Sequence, residues 1–97
     1  IIKPKTPKNC PPVHHIYPIL TDDRDDFINY LNKKGIENGI HYPIIISKMD
    51  MYSDHFSIDD NAYEFSQKMV SLPIHPFLSE GQINYICDQV SRYWQML

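Results

Sequence analysis

Two short runs of this sequence each stop at a proline, and together they limit the fold more than any other feature. One is Gly35-Ile36-Glu37-Asn38-Gly39-Ile40-His41-Tyr42-Pro43; the other is Ser71-Leu72-Pro73-Ile74-His75-Pro76-Phe77-Leu78-Ser79. Proline has no backbone N–H and a fixed φ, so an extended run can join a sheet ladder only up to such a residue. Each run follows a stretch with helical apolar spacing, Phe27, Ile28 and Leu31 before the first and Ala62, Phe65 and Met69 before the second. Short strands docked on amphipathic helices call for a small layered domain, with a sheet on one side and helices on the other.

The 97 residues suffice for one core, and 42% hydrophobic side chains place the chain among globular rather than disordered sequences. Ile1 rather than Met opens the chain, which reads as a piece of a longer polypeptide without a signal peptide. The longest apolar runs are far short of the ~18 residues of a membrane span. A net charge of -3, with Lys3, Lys5, Lys8, Lys33 and Lys34 forming no stripe interleaved with aromatics, makes a nucleic-acid partner unexpected. Cys10 and Cys87 cannot form a disulfide framework and lie in no Cys-x-x-Cys pair. Cys87 is expected on the buried face of a helix, and a reducing, cytoplasmic setting follows.

Pro4, Pro7, Pro11 and Pro12 make residues 1–12 a Pro/Lys-rich linker, so residues 13–97 form the domain. Val13 to Leu20 reads as a strand, with Pro18 at an edge or a bulge. The acids Asp22 to Asp26 suit a helix start, and Gly35 suits its left-handed end. Ile36 to Tyr42 reads as a second strand, followed by an irregular stretch with one helical turn near Lys48 to Tyr52. A helix from Asp60 or Asn61 to about Val70 leads to a strand, Ser71 to Ile74. Ser79 and Gln82 match a capping box for a last helix with Ile83, Ile86, Cys87, Val90 and Trp94 at helical spacing. The expected fold is α+β, a small, mostly antiparallel three-stranded sheet with helices packed on one face.

Few residues offer chemistry. The five histidines, His14, His15, His41, His55 and His75, include no pair with the spacing of zinc ligands. No serine sits in a Gly-x-Ser-x-Gly turn, and the three glycines build no phosphate loop. His41 and Tyr42 are the better candidates, because they end a strand beside a proline that fixes the exit direction, where side chains can reach a cleft.

Taken together, His15-Ile16-Tyr17-Pro18-Ile19, Arg24-Asp25, Gly35-Ile36, Gly39-Ile40-His41-Tyr42-Pro43, Ser71-Leu72-Pro73-Ile74-His75-Pro76 and Leu78-Ser79 resemble the end of the DegT/StrS-type sugar aminotransferases. The resemblance runs from about residue 14 to residue 92. It implies the C-terminal small domain of a fold type I aminotransferase, from enzymes that use pyridoxal phosphate to move an amino group onto a keto carbon of a nucleotide-linked sugar. It implies a large cofactor-binding domain and a homodimer partner, and a small domain that closes one side of the shared cleft. His41 and Tyr42 would lie nearest the sugar, and Ser47 and Lys48, in the loop from Ile44 to Tyr52, would help shape its pocket. The Schiff-base lysine of the family lies in the large domain, so the fragment alone is expected to bind no cofactor and to be inactive. Ile45-Ile46-Ser47 stands where family members often carry Pro-Leu-His, and Asp50 where proline is common. A second reading is a stand-alone interaction or dimerisation module with Tyr93 and Trp94 as exposed anchors; a third is a small nucleotide-sugar binding protein.

Overall fold

The order of elements follows from where the apolar residues can be buried. In the computed structural model, which describes residues 1–52 and 60–97 and only the backbone of Asp60, strand β1 (Tyr17–Leu20) leads into helix α1 (Arg24–Lys33). A single 3-10 turn, Ile46–Lys48, precedes helix α2 (Asp60–Lys68), which passes directly into strand β2 (Met69–Leu72); helix α3 (Glu80–Gln95) ends the fold.

β1 and β2 pair antiparallel, with Tyr17 opposite Leu72, Pro18 opposite Ser71, Ile19 opposite Val70 and Leu20 opposite Met69. Alternation divides these residues between two faces. Tyr17, Ile19, Val70 and Leu72 turn toward α1 and α3 and join Phe27, Leu31, Ile36 and Tyr93 in one core. Leu20, Met69 and Ser71 belong to the other face. Pro18 keeps its place in the sheet because Leu20, two residues on, directs its N–H and C=O away from β2, to Ile2. Pro18 faces the same edge, where its missing N–H breaks no β1–β2 bond. Ile2, within the proline-rich opening segment, makes both bonds of that bridge at 3.0 Å.

The helices are terminated as their residues dictate. Gly35 ends α1 at φ +70, a left-handed conformation that costs glycine little. Ser79 and Gln82 form the reciprocal capping box of α3: Ser79 Oγ accepts from the Gln82 N–H at 3.1 Å, and Gln82 Oε1 accepts from the Ser79 N–H at 2.9 Å. A Tyr30 hydroxyl donates to Gln89 Oε1 at 3.0 Å and ties α1 to α3 between their stacked aromatics.

Several expectations are corrected. Among the described residues the sheet proper has two strands, and the expected third is present only as a bridge. The run Ile36 to Tyr42 contributes a single antiparallel bridge, Gly39 to Ser71, because its other residues are engaged elsewhere: Ile36 drops into the core, and Asn38 folds back to donate to Asn32 Oδ1 and the Ile36 carbonyl. β1 begins at Tyr17 rather than Val13, and β2 spans Met69–Leu72 rather than Ser71 to Ile74, since Pro73 halts the ladder. The helical turn falls at Ile46–Lys48, ahead of the expected Lys48 to Tyr52. α1 and α3 share a face of the sheet, whereas Ala62, Phe65 and Ser66 of α2 border a hollow with Met69 of the opposite face. The irregular stretch and His55 fall partly or wholly in residues 53–59, outside the described residues.

Helix α3 is also rotated from the expected register. Gln89 and Tyr93 are its buried residues, and Trp94 lies against Phe27, ring centroids 4.6 Å apart. The ridge that packs is therefore Ile86, Gln89, Val90, Tyr93 and Trp94, at i, i+3, i+4, i+7 and i+8. Cys87 is exposed, one position off that ridge. Tyr93 belongs to the core, and Trp94, expected as an exposed anchor, is partly buried against it.

Candidate functional site

The chain leaves α1 through Gly35 and meets the edge of β2 at the Gly39–Ser71 bridge, which brings the His41 side chain to Ser71. His41 Nδ1 lies 2.9 Å from Ser71 Oγ. Ser71 also exchanges backbone bonds with Gly39, its N–H donating to the Gly39 carbonyl at 2.7 Å and its carbonyl accepting from the Gly39 N–H at 3.2 Å. The imidazole lies so close over Gly39 that a Cβ there would come within 2.9 Å of its Cε1. Only glycine leaves that space.

These residues border a hollow of about 400 Å³, with His15, Glu37 and Asn38 adding polar groups and Ile16, Leu72 and Ile74 an apolar side. The Ser71–His41 contact resembles half of a nucleophile pair, but Ser71 is only 4% exposed. A hydroxyl so enclosed cannot reach an external electrophile, so the pair supports an imidazole rather than activates a serine.

Tyr42 projects into solvent, 65% exposed, with its ring edge-on to His41 at 5.4 Å between centroids. It borders a second, mostly apolar hollow of about 480 Å³ with Ile44, Ile46, Ser47, Phe65 and Met69. Lys48 turns to α2 instead, its Nζ 3.8 Å from the centre of the Tyr63 ring, a cation–π contact that pins the 3-10 turn against the helix. Of the four residues picked out by sequence, His41 therefore lines the first hollow and Tyr42 and Ser47 the second, while Lys48 closes the turn next to Ser47. Ser71, Asn38 and Glu37 were missed. Ser71 lies 30 positions from His41, so only the sheet pairing brings it into view.

The acidic run has a different role. Asp25 and Asp26 occupy the first turn of α1, and Asp22 Oδ1 lies 2.8 Å from Lys68 Nζ, which also meets Glu64 Oε1 at 2.7 Å. The Lys68 ammonium holds the Asp22 carboxyl below the usual carboxylate range. Among the described residues no cluster of His, Cys, Asp and Glu could hold a metal ion, and no helix is long and apolar enough to cross a membrane.

This arrangement, a small antiparallel sheet with α1 and α3 on one face and α2 bordering the other, belongs to a known class. The chain is a member of the DegT/DnrJ/EryC1/StrS aminotransferase family, which it matches over residues 2–91. It is 30% identical over 94 residues to the dTDP-3-amino-3,4,6-trideoxy-alpha-D-glucose transaminase of Streptomyces venezuelae, covering 94% of this chain and 24% of that protein. It is 32% identical over 85 residues to the dTDP-3-amino-3,6-dideoxy-alpha-D-galactopyranose transaminase of Aneurinibacillus thermoaerophilus, covering 84% of this chain and 23% of that protein. Its fold superposes on S. venezuelae DesV in complex with a ketimine intermediate with a TM-score of 0.87, at 27% identity over 95% of this chain and 26% of DesV. A DegT DnrJ EryC1 StrS aminotransferase from Brucella abortus gives a TM-score of 0.79 at 25% identity, covering 95% of this chain and 26% of that one. The chain thus spans about a quarter of the length of these relatives.

Proposed function

We propose that this chain is the C-terminal small domain of a pyridoxal-phosphate-dependent aminotransferase acting on nucleotide-linked keto sugars, and that its open sheet face forms one wall of the sugar pocket. The observation that carries this reading is the placement of His41 on one hollow and of Tyr42 and Ser47 on another, with the His41 and Tyr42 rings 5.4 Å apart, within a family match that runs almost the whole chain. An imidazole and a phenol beside apolar surface suit a ligand with both hydroxyl groups and hydrocarbon faces. His41 and Tyr42 would hydrogen-bond sugar oxygens, Ser47 would add a hydroxyl at the rim, and Lys48 would hold the rim turn in place.

Pyridoxal phosphate supplies the electron sink of the family's reaction. The residues of this chain do not fit it. A covalent anchor must be a lysine directed into an enclosed site beside donors for the phosphate. Lys3, Lys5, Lys8, Lys33 and Lys34 are exposed, Lys48 lies over Tyr63, and Lys68 is held by two carboxylates. The cofactor and its anchor would then belong to a large domain of the parent protein, and the reaction to a homodimer in the cytoplasm. The alternative, a dimerisation module anchored by Tyr93 and Trp94, is less favoured because Tyr93 lies in the core and Trp94 is partly buried against it.

Kinetics of the parent protein test this. His41→Ala and Tyr42→Ala are expected to raise KM for the nucleotide sugar about tenfold each, the effect of losing one or two hydrogen bonds, with the KM for the amino donor unchanged. Unaltered sugar KM in both variants would contradict the assignment.

A further inference from the structure

We propose that Ser71 is a positioning residue that sets the protonation pattern of the His41 ring, and with it the kind of group His41 can meet. This deepens the sugar-pocket reading and rests on it for its purpose, though not for its test. Ser71 is buried on β2, and its backbone is held on both sides, by Pro18's strand and by Gly39. Its Cβ direction is therefore fixed, and Oγ is delivered to His41 Nδ1 at 2.9 Å. A buried hydroxyl has one proton to place, and among the described residues Nδ1 is the acceptor within reach. Donation from Ser71 keeps Nδ1 bare and puts the ring proton on Nε2. His41 is then a hydrogen-bond donor toward the hollow bordered by Glu37 and Asn38, suited to an acceptor oxygen such as a hydroxyl, a keto group or a phosphate ester oxygen.

Gly39 is the second half of the device. The ring is caught between the serine and the glycine Cα, and a single methyl at position 39 would meet Cε1 at 2.9 Å. The backbone at Gly39 is not in the left-handed region, so alanine there acts by pushing the ring aside and not through φ.

The test is nitrogen-15 NMR of the histidine rings in the full chain, at a pH where His41 is neutral. The wild type is expected to show a bare Nδ1 and a protonated Nε2, as two widely separated resonances. In Ser71→Ala the two are expected to move toward each other as the second tautomer becomes populated, and Ser71→Thr, which retains the hydroxyl, is expected to restore them. Gly39→Ala is expected to shift both through displacement of the ring. A protonated Nδ1 in the wild type would overturn the proposal, and so would an unchanged pair in Ser71→Ala. Should Ser71→Ala not fold, the wild-type tautomer and Gly39→Ala still decide. The sugar reading is tested separately by KM in the parent, since tautomer control and sugar contact can fail independently.

Discussion

Tyr93 shows how one side chain can be misread from its neighbours and still be decisive for stability. It lies near the chain's end among Trp94, Met96 and Leu97, which suggests a loose aromatic tail, yet it is 6% exposed and stacks on Phe27 with ring centroids 5.0 Å apart. Burial, with Asp23 and Asp26 nearby, pushes its phenol above the ordinary tyrosine value of 10.0. The folded chain therefore holds this proton more tightly than the unfolded chain. The sign follows: the unfolded state binds fewer protons once pH passes 10.0, so stability falls as pH rises beyond that point. Lys68, whose ammonium is also stabilised by its carboxylate partners, acts in the same alkaline direction. Tyr93→Phe is expected to flatten the alkaline limb of urea midpoint against pH without abolishing it; an unchanged limb would show that the phenol is not enclosed. At this scale the legible residues are those whose conformation is set locally. Gly35 and the Ser79–Gln82 box fall where their backbone chemistry requires. Cys87, Tyr93 and Ser71 depend on partners far along the chain and could not be placed from spacing alone.

Elements were legible in kind but not in extent, and proline and glycine explain why. Pro18 was expected at an edge and occupies one, facing away from β2. The run from Ile36 to Tyr42 has the composition of a strand, but Ile36 is needed in the core and Gly39 must admit the His41 ring, so among the described residues it forms one bridge. α3 was recognised from its apolar period and from its cap, and the cap carries a measurable share of its stability. Ser79→Ala is expected to lower the unfolding free energy by ~1 kcal/mol, with Ser79→Asp retaining most of it. Chemical denaturation reads this directly, and an alanine variant as stable as the wild type would mean that the box observed here is not formed in solution. The candidate site was half legible for the same reason. His41, Tyr42 and Ser47 could be named from a loop that follows a strand, whereas the serine that supports His41 lies on another element altogether.

At the scale of the whole molecule, the sheet has two unlike faces. One face of its sheet is filled by α1 and α3, and the other offers polar aromatics, two shallow hollows and a large share of the exposed hydrophobic side chains, among them Tyr42, Ile44, Ile46 and Phe65. The chain matches about a quarter of two dTDP-linked sugar transaminases, and the function proposed above assigns the cofactor's anchor to a separate large domain. That division of labour is most directly tested by titrating the chain with pyridoxal phosphate and following imine absorbance. Here the lysines are exposed or held by carboxylates and a ring, so absorbance should rise weakly and without saturation, spread over many amines. Saturation at one cofactor per chain, traced to a single lysine, would contradict the account, because the anchor would then lie within these residues.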